Sequence, residues 1–201
     1  MNTEQNLSKA FTYPAIVTGL LLLIPFIAMR FSEDVIWTLS DFILAGIMIF
    51  GTGITYNLIT RKSKRIAYRV AVGFALLTGL FLIWSNLAVG LIGSENNAFN
   101  LLYFLVIGVG VMGAFIARFK ANGMIITLCS MAAIQAIITI AALLTGMAEV
   151  PASSVYEILA INGFFITAFV VAAMLFHYAA EDNSATKIVD RLFADQSKKR
   201  H

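Results

Sequence analysis

Six polar side chains stand isolated in otherwise apolar stretches of this chain: Asp41, Asn86, Asn100, Gln135, Glu157 and Asn162. Two carboxylates supply negative charge, and four amides supply hydrogen-bond donors and acceptors. Such a set would suit ligand binding, of a cation or a small polar solute. The nearby run Ser94-Glu95-Asn96-Asn97 adds to the polarity at one end. Polar groups inside apolar segments are costly unless paired, which makes each a functional candidate by default. A structural use competes. Asp41 and Glu157 fall in the first turns of their segments, where free N–H groups and the positive helix end favour a carboxylate by about 0.3–1 kcal/mol. The amides would serve as interhelical links worth about 0.6 kcal/mol per bond. The structural use is the favoured one for the set. Gln135 is the most central of the amides, and an unpaired amide in hydrocarbon is expensive. It is expected to lie buried against another helix, with Thr18 or Thr78 as partner.

Other chemistry finds little support. No apolar run carries Asp, Glu, Lys or Arg near its centre, which disfavours proton-coupled pumps and retinal pigments. His177 lies at the end opposite the acidic residues and His201 is terminal, so no nucleophile, base and orienter come together. The single cysteine, Cys129, allows neither paired-thiol redox chemistry nor a thiol metal site within one copy. Zinc spacings, glycine-rich phosphate loops and nucleic-acid motifs are absent from the sequence, so no cofactor, metal or nucleic-acid partner is implied. An enzyme ranks last among the function classes.

The elements that must position these residues follow from composition. The chain has 201 residues, 60% of them hydrophobic and 12% charged, too apolar for a soluble domain. Six apolar runs, near Ala15–Met29, Val35–Thr60, Ile66–Ile92, Ala98–Ala117, Gly123–Thr145 and Val155–Tyr178, approach or exceed the length that crosses a bilayer. The expected fold is all-α, an integral membrane bundle of six transmembrane helices over residues 1–180. The first run follows Lys9, contains Pro25 and lacks a small-residue cleavage site, so it reads as an uncleaved anchor. Small residues at Gly46, Gly51 and Gly53, at Gly110, Gly113, Ala114 and Ala117, and at Ser130, Ala132, Ala133 and Ala136 make the second, fourth and fifth runs the expected tightly packed interior.

Charge sets the expected orientation. Of 14 Lys and Arg residues, only Arg30 falls on the side of Glu33, Asp34, Glu95 and Glu149. The motif RKSKR at Arg61–Arg65, with Arg69, Arg118, Lys120 and the basic tail, falls on the other, which predicts both termini in the cytoplasm, N-in/C-in. Trp37, Trp84, Tyr103 and Tyr156 then mark the outer interface, and Tyr13, Tyr56, Tyr68 and Tyr178 the inner one. The tail, 181–201, places Ile188, Val189, Leu192 and Phe193 on one helical face. It is expected to be a cytoplasmic amphipathic helix near anionic lipids, or disordered.

Trp84–Phe104 (WSNLAVGLIGSENNAFNLLYF), Gly113–Phe119 (GAFIARF) and Glu157–Phe165 (EILAINGFF) resemble a group of uncharacterised polytopic bacterial membrane proteins with no assigned activity. The resemblance covers roughly the second half of the chain. It implies a bacterial inner (plasma) membrane location and supplies no catalytic residues. The function expected from these readings is transport of a small solute or cation through an outward-facing polar pocket. The alternative is a non-catalytic membrane partner or assembly subunit, as a homo-oligomer or with another protein.

Overall fold

The computed structural model describes residues 2–61, 63–150 and 153–198, with side chains placed for 10–61, 63–150 and 153–182. All regular structure among them is helical: α1 (Asn2–Phe31), α2 (Leu39–Thr60), α3 (Ile66–Ala88), α4 (Leu102–Ile116), α5 (Ala121–Leu144) and α6 (Val155–Lys198). Single 3₁₀ turns at Ala98–Leu101 and Met147–Glu149 precede α4 and follow α5. Six helices are long and apolar enough to cross a membrane. Large apolar side chains such as Leu20, Ile47, Leu77, Ile116, Ile137 and Met174 stand exposed along them, as expected of surfaces that face lipid. The chain is built as a multi-pass membrane protein.

Contacts gather in two units, residues 1–62 and 63–201. In the first, α1 and α2 pack as a hairpin. Pro14 lies inside α1 and has no N–H, so the Ala10 carbonyl four residues earlier loses its helical donor. The Asn57 amide of α2 replaces it, donating to Ala10 O at 3.0 Å. Gly53, one turn before Asn57, makes room for the ring: a Cβ there would come within 2.9 Å of Pro14 Cβ. The close approach expected near Gly53 is therefore real, whereas a Cβ on Gly51 would meet nothing within 4 Å.

In the second unit, α6 packs between α3 and α5, and α4 packs on the other flank of α5. Seven buried residues of α6, Ile158, Asn162, Phe165, Phe169, Ala172, Phe176 and Ala179, alternate spacings of four and three. That is the seam of a left-handed helix pair, in which side chains of one helix fill gaps in the next. Helix α5 answers with Leu128, Met131, Gln135, Ile138 and Ala142 at the same spacings. Between α4 and α5 the glycines act as expected, since a Cβ on Gly110 would strike Met131 and one on Gly113 would strike Thr127. The expected interior of this unit needs correction: in their most apolar stretches 39% of positions are buried in α5 and in α6, so α6 joins α5 as a helix of the interior.

Helix α3 also stops at Ala88, four residues before the expected end at Ile92. Gly90 and Gly93 adopt left-handed backbone, at φ 76° and 64°, which folds Leu91 and Ile92 back into the bundle as a buried loop. At the opposite end, Tyr68 donates its hydroxyl hydrogen to the carbonyl of Phe119, where Arg118 and Phe119 are left-handed at φ 50° and 55°. Arg65 faces Asp182 at 3.7 Å. Helix α6 continues without a break through Lys198, so the backbone of 181–198 is an extension of the last span. The apolar face expected for Ile188, Val189, Leu192 and Phe193 lies outside the described side chains.

Candidate functional site

The six polar residues separate into helix starts, a loop clasp and an interior node. Asp41 and Glu157 are exposed and belong to helix starts. Thr38 precedes α2, and its backbone N–H and hydroxyl donate to Asp41 Oδ2 at 2.7 and 2.8 Å, while Asp41 N donates back to Thr38 Oγ1 at 3.4 Å. Ser154 and Glu157 form part of the same arrangement at α6, with Ser154 Oγ donating to Glu157 Oε2 at 2.8 Å and Glu157 N to Ser154 Oγ at 3.2 Å. Thr38 and Asp41 make a reciprocal cap, whereas at α6 the carboxylate is held by the Ser154 hydroxyl. Each carboxylate is thus engaged by its own helix. Asn86 and Glu157 share no hydrogen-bond partner among the described residues.

Asn100 is the clasp of the 89–97 loop. Its Oδ1 accepts from Leu91 N and Ile92 N, both at 3.0 Å, and its Nδ2 donates to Ile92 O at 3.2 Å and Ser94 O at 2.8 Å. One side chain thereby closes four backbone groups that the end of α3 leaves open. Its amide is saturated and has no bond left for a ligand. Gly90 allows the clasp, because a Cβ there would lie 2.7 Å from Asn100 Nδ2. Asn86 donates from Nδ2 to the Asn100 carbonyl at 3.1 Å, and its own buried Oδ1 has no partner.

Gln135 and Asn162, both 0% exposed, meet at the α5–α6 seam. Gln135 Nε2 donates to Asn162 Oδ1 at 2.9 Å, and so does the hydroxyl of Tyr103 from α4, also at 2.9 Å. Asn162 Nδ2 donates to Ile158 O at 2.9 Å, and Thr139 donates to the Gln135 backbone carbonyl at 2.8 Å. Three helices are joined through one amide oxygen. Gln135 is buried against another helix, as expected, but its partner there is Asn162 and not Thr78. Thr78 donates to Phe74 O within its own helix, at 2.9 Å. Tyr103, read from the sequence only as an interfacial aromatic, is the member that sequence reasoning missed. Its signal is its position one turn after Asn100, at the start of α4.

The node is built of two amides, the Tyr103 phenol and the Thr139 hydroxyl, and holds no carboxylate or cationic side chain. Among the described residues no group of three or more His, Cys, Asp or Glu is placed to hold a metal ion.

A second feature lies on the surface of the same unit. An open groove of about 660 Å³ runs between Phe74, Leu77 and Phe81 of α3 and Gly163, Thr167 and Val171 of α6. Phe81 bounds it with edge contacts to Phe164 and a tilted contact to Phe165, at 5.8 and 5.6 Å. A Cβ on Gly163 would meet nothing within 4 Å. Comparison with protein-family models, with curated proteins and with solved structures finds no match.

Proposed function

We propose that the chain is a non-catalytic membrane subunit whose α3–α6 groove receives a transmembrane helix of a different protein. The observation that carries this reading is the groove's position. On α3 it spans Phe74 to Phe81, around the middle of a helix that runs Ile66–Ala88. An acyl chain occupies one leaflet and ends near the midplane, whereas a helix crosses it. Gly163 and Thr167, four residues apart, form the small surface through which membrane helices approach closely. A glycine inside a helix costs about 1 kcal/mol relative to alanine, and a Cβ on Gly163 would meet nothing within 4 Å among the described residues of the second unit. A second copy is a poorer occupant, because a two-fold axis along the membrane normal would lay one concave face on another. In this reading the protein sits in a bacterial inner membrane with both termini in the cytoplasm, and the basic loops face anionic lipid.

The test is a photo-reactive residue in place of Thr167 in native membranes. The expected product is an adduct with the transmembrane segment of another protein, abolished by Gly163→Leu, which adds bulk at a position where a Cβ meets nothing within 4 Å. Adducts with lipid only, with a second copy only, or adducts indifferent to Gly163→Leu would overturn the reading.

Passage of a small solute is the second reading, favoured by the two buried acceptors without donors, Asn86 Oδ1 and Gln135 Oε1. It predicts faster uptake into proteoliposomes containing the protein than into empty ones, reduced by Gln135→Leu.

A further inference from the structure

The hydrogen bonds of the Tyr103–Gln135–Asn162 node fix which way each amide points. Asn162 Nδ2 donates to the Ile158 carbonyl, so turning that amide over would set two carbonyl oxygens against each other. Its oxygen must therefore face Tyr103 and Gln135. The atom that Gln135 presents to this oxygen must then be its NH₂ group, at 2.9 Å. By exclusion Gln135 Oε1 points elsewhere, fully buried and without a donor. The orphan is thus imposed by the network and cannot be removed by exchanging amide atoms.

A buried carbonyl oxygen without a donor is costly in an apolar interior, and native structures commonly meet that cost with a bound guest. The guest's chemistry follows from its surroundings. It must donate a hydrogen bond to Gln135 Oε1. It must carry no charge, because the node contains none and an unpaired ion would be strongly disfavoured there. Water suits best. It donates and accepts at once, and the Gln135 and Asn162 amides each have one bonded hydrogen and one to spare.

We propose that the node between α4, α5 and α6 binds one water molecule, held by donation to Gln135 Oε1. The guest occupies the bundle interior, so the inference stands apart from helix docking in the α3–α6 groove. It also does not require the guest to cross the membrane.

The test is to crystallise the full chain in a lipid phase, with and without glycerol, at a resolution that places ordered water. The expected result is a compact density within about 2.7–3.2 Å of Gln135 Oε1 under both conditions, identifying water. An extended density present only with glycerol would show an adventitious additive only and would overturn the proposal. No density, or a protein donor on Gln135 Oε1, would overturn the proposal. Should the lattice fail to order this region, water-to-amide magnetisation transfer at the Gln135 side chain in nanodiscs gives the same decision. Transfer from a long-lived water supports the site, and no such transfer removes it.

Discussion

At the scale of single residues, Asn162 illustrates how one amide can hold three helices. Replacing it with leucine strands the Tyr103 hydroxyl and the Gln135 amide hydrogens in the seam. A loss of about 1–3 kcal/mol is expected from those stranded groups, read as a lower melting temperature in detergent. Asn162→Leu combined with Gln135→Leu should recover part of it, with a coupling near 0.6 kcal/mol and no greater than about 1.7. Strict additivity of the two substitutions would show that the pair does not act together. Asn100→Ala should be the more damaging change, because it opens buried N–H groups of Leu91 and Ile92 together. Each group left unpaired costs about 1–3 kcal/mol, and proteolysis within 89–97 is the sensitive readout. Legibility was uneven at this scale. Thr38-x-x-Asp41 and Ser154-x-x-Glu157 spell their caps in the sequence, since each bond joins residues three apart. The clasp at Asn100 does not, because its partners are backbone groups of Leu91 and Ile92, two residues that read as a continuing apolar helix until Gly90 turns the chain.

At the scale of elements, α1 and α2 depend on a matched trio. Gly53→Ala would bring a Cβ to 2.9 Å from Pro14 Cβ, and Asn57→Leu would leave the Ala10 carbonyl without its substitute donor. Both variants should loosen the hairpin, detected as reduced crosslinking between cysteines placed in α1 and α2. Gly51→Ala, where nothing lies within 4 Å, serves as the neutral control. The order of packing in the second unit was only half legible. Gly110 and Gly113 announced the α4–α5 contact, because small residues at helical spacing have few other uses in lipid. The dominance of α6 was written in the repeat Ile158, Asn162, Phe165, Phe169, Ala172, Phe176 and Ala179. A search for small residues passes over it, since that seam packs by large side chains filling gaps.

At the scale of the whole molecule, orientation is testable without any ligand. Reporters placed after Lys64, after Lys120 and at the C-terminus are expected to register cytoplasm, and one within 94–97 the exterior. An exterior signal at Lys64 would reverse the charge-based topology. Hydropathy made the number and approximate limits of the spans readable, because the hydrocarbon core imposes a length on every crossing helix. Helix rotation and pairing are long-range choices, and no local pattern named Asn162 as the partner of Gln135.

The unbroken course of α6 has a mechanical meaning. Its 44 residues make a rod of about 66 Å, roughly twice the thickness of the hydrocarbon core. The helix runs unbroken from the seam to Lys198, so the final turns and the Asn162 knot belong to one element. A tilt of about 10° at the seam would swing the far tip by about 6 Å, taking the overhang as roughly 36 Å of helix. Anything that grasps that tip from outside the bilayer has hold of a lever whose fulcrum is the interior of the bundle.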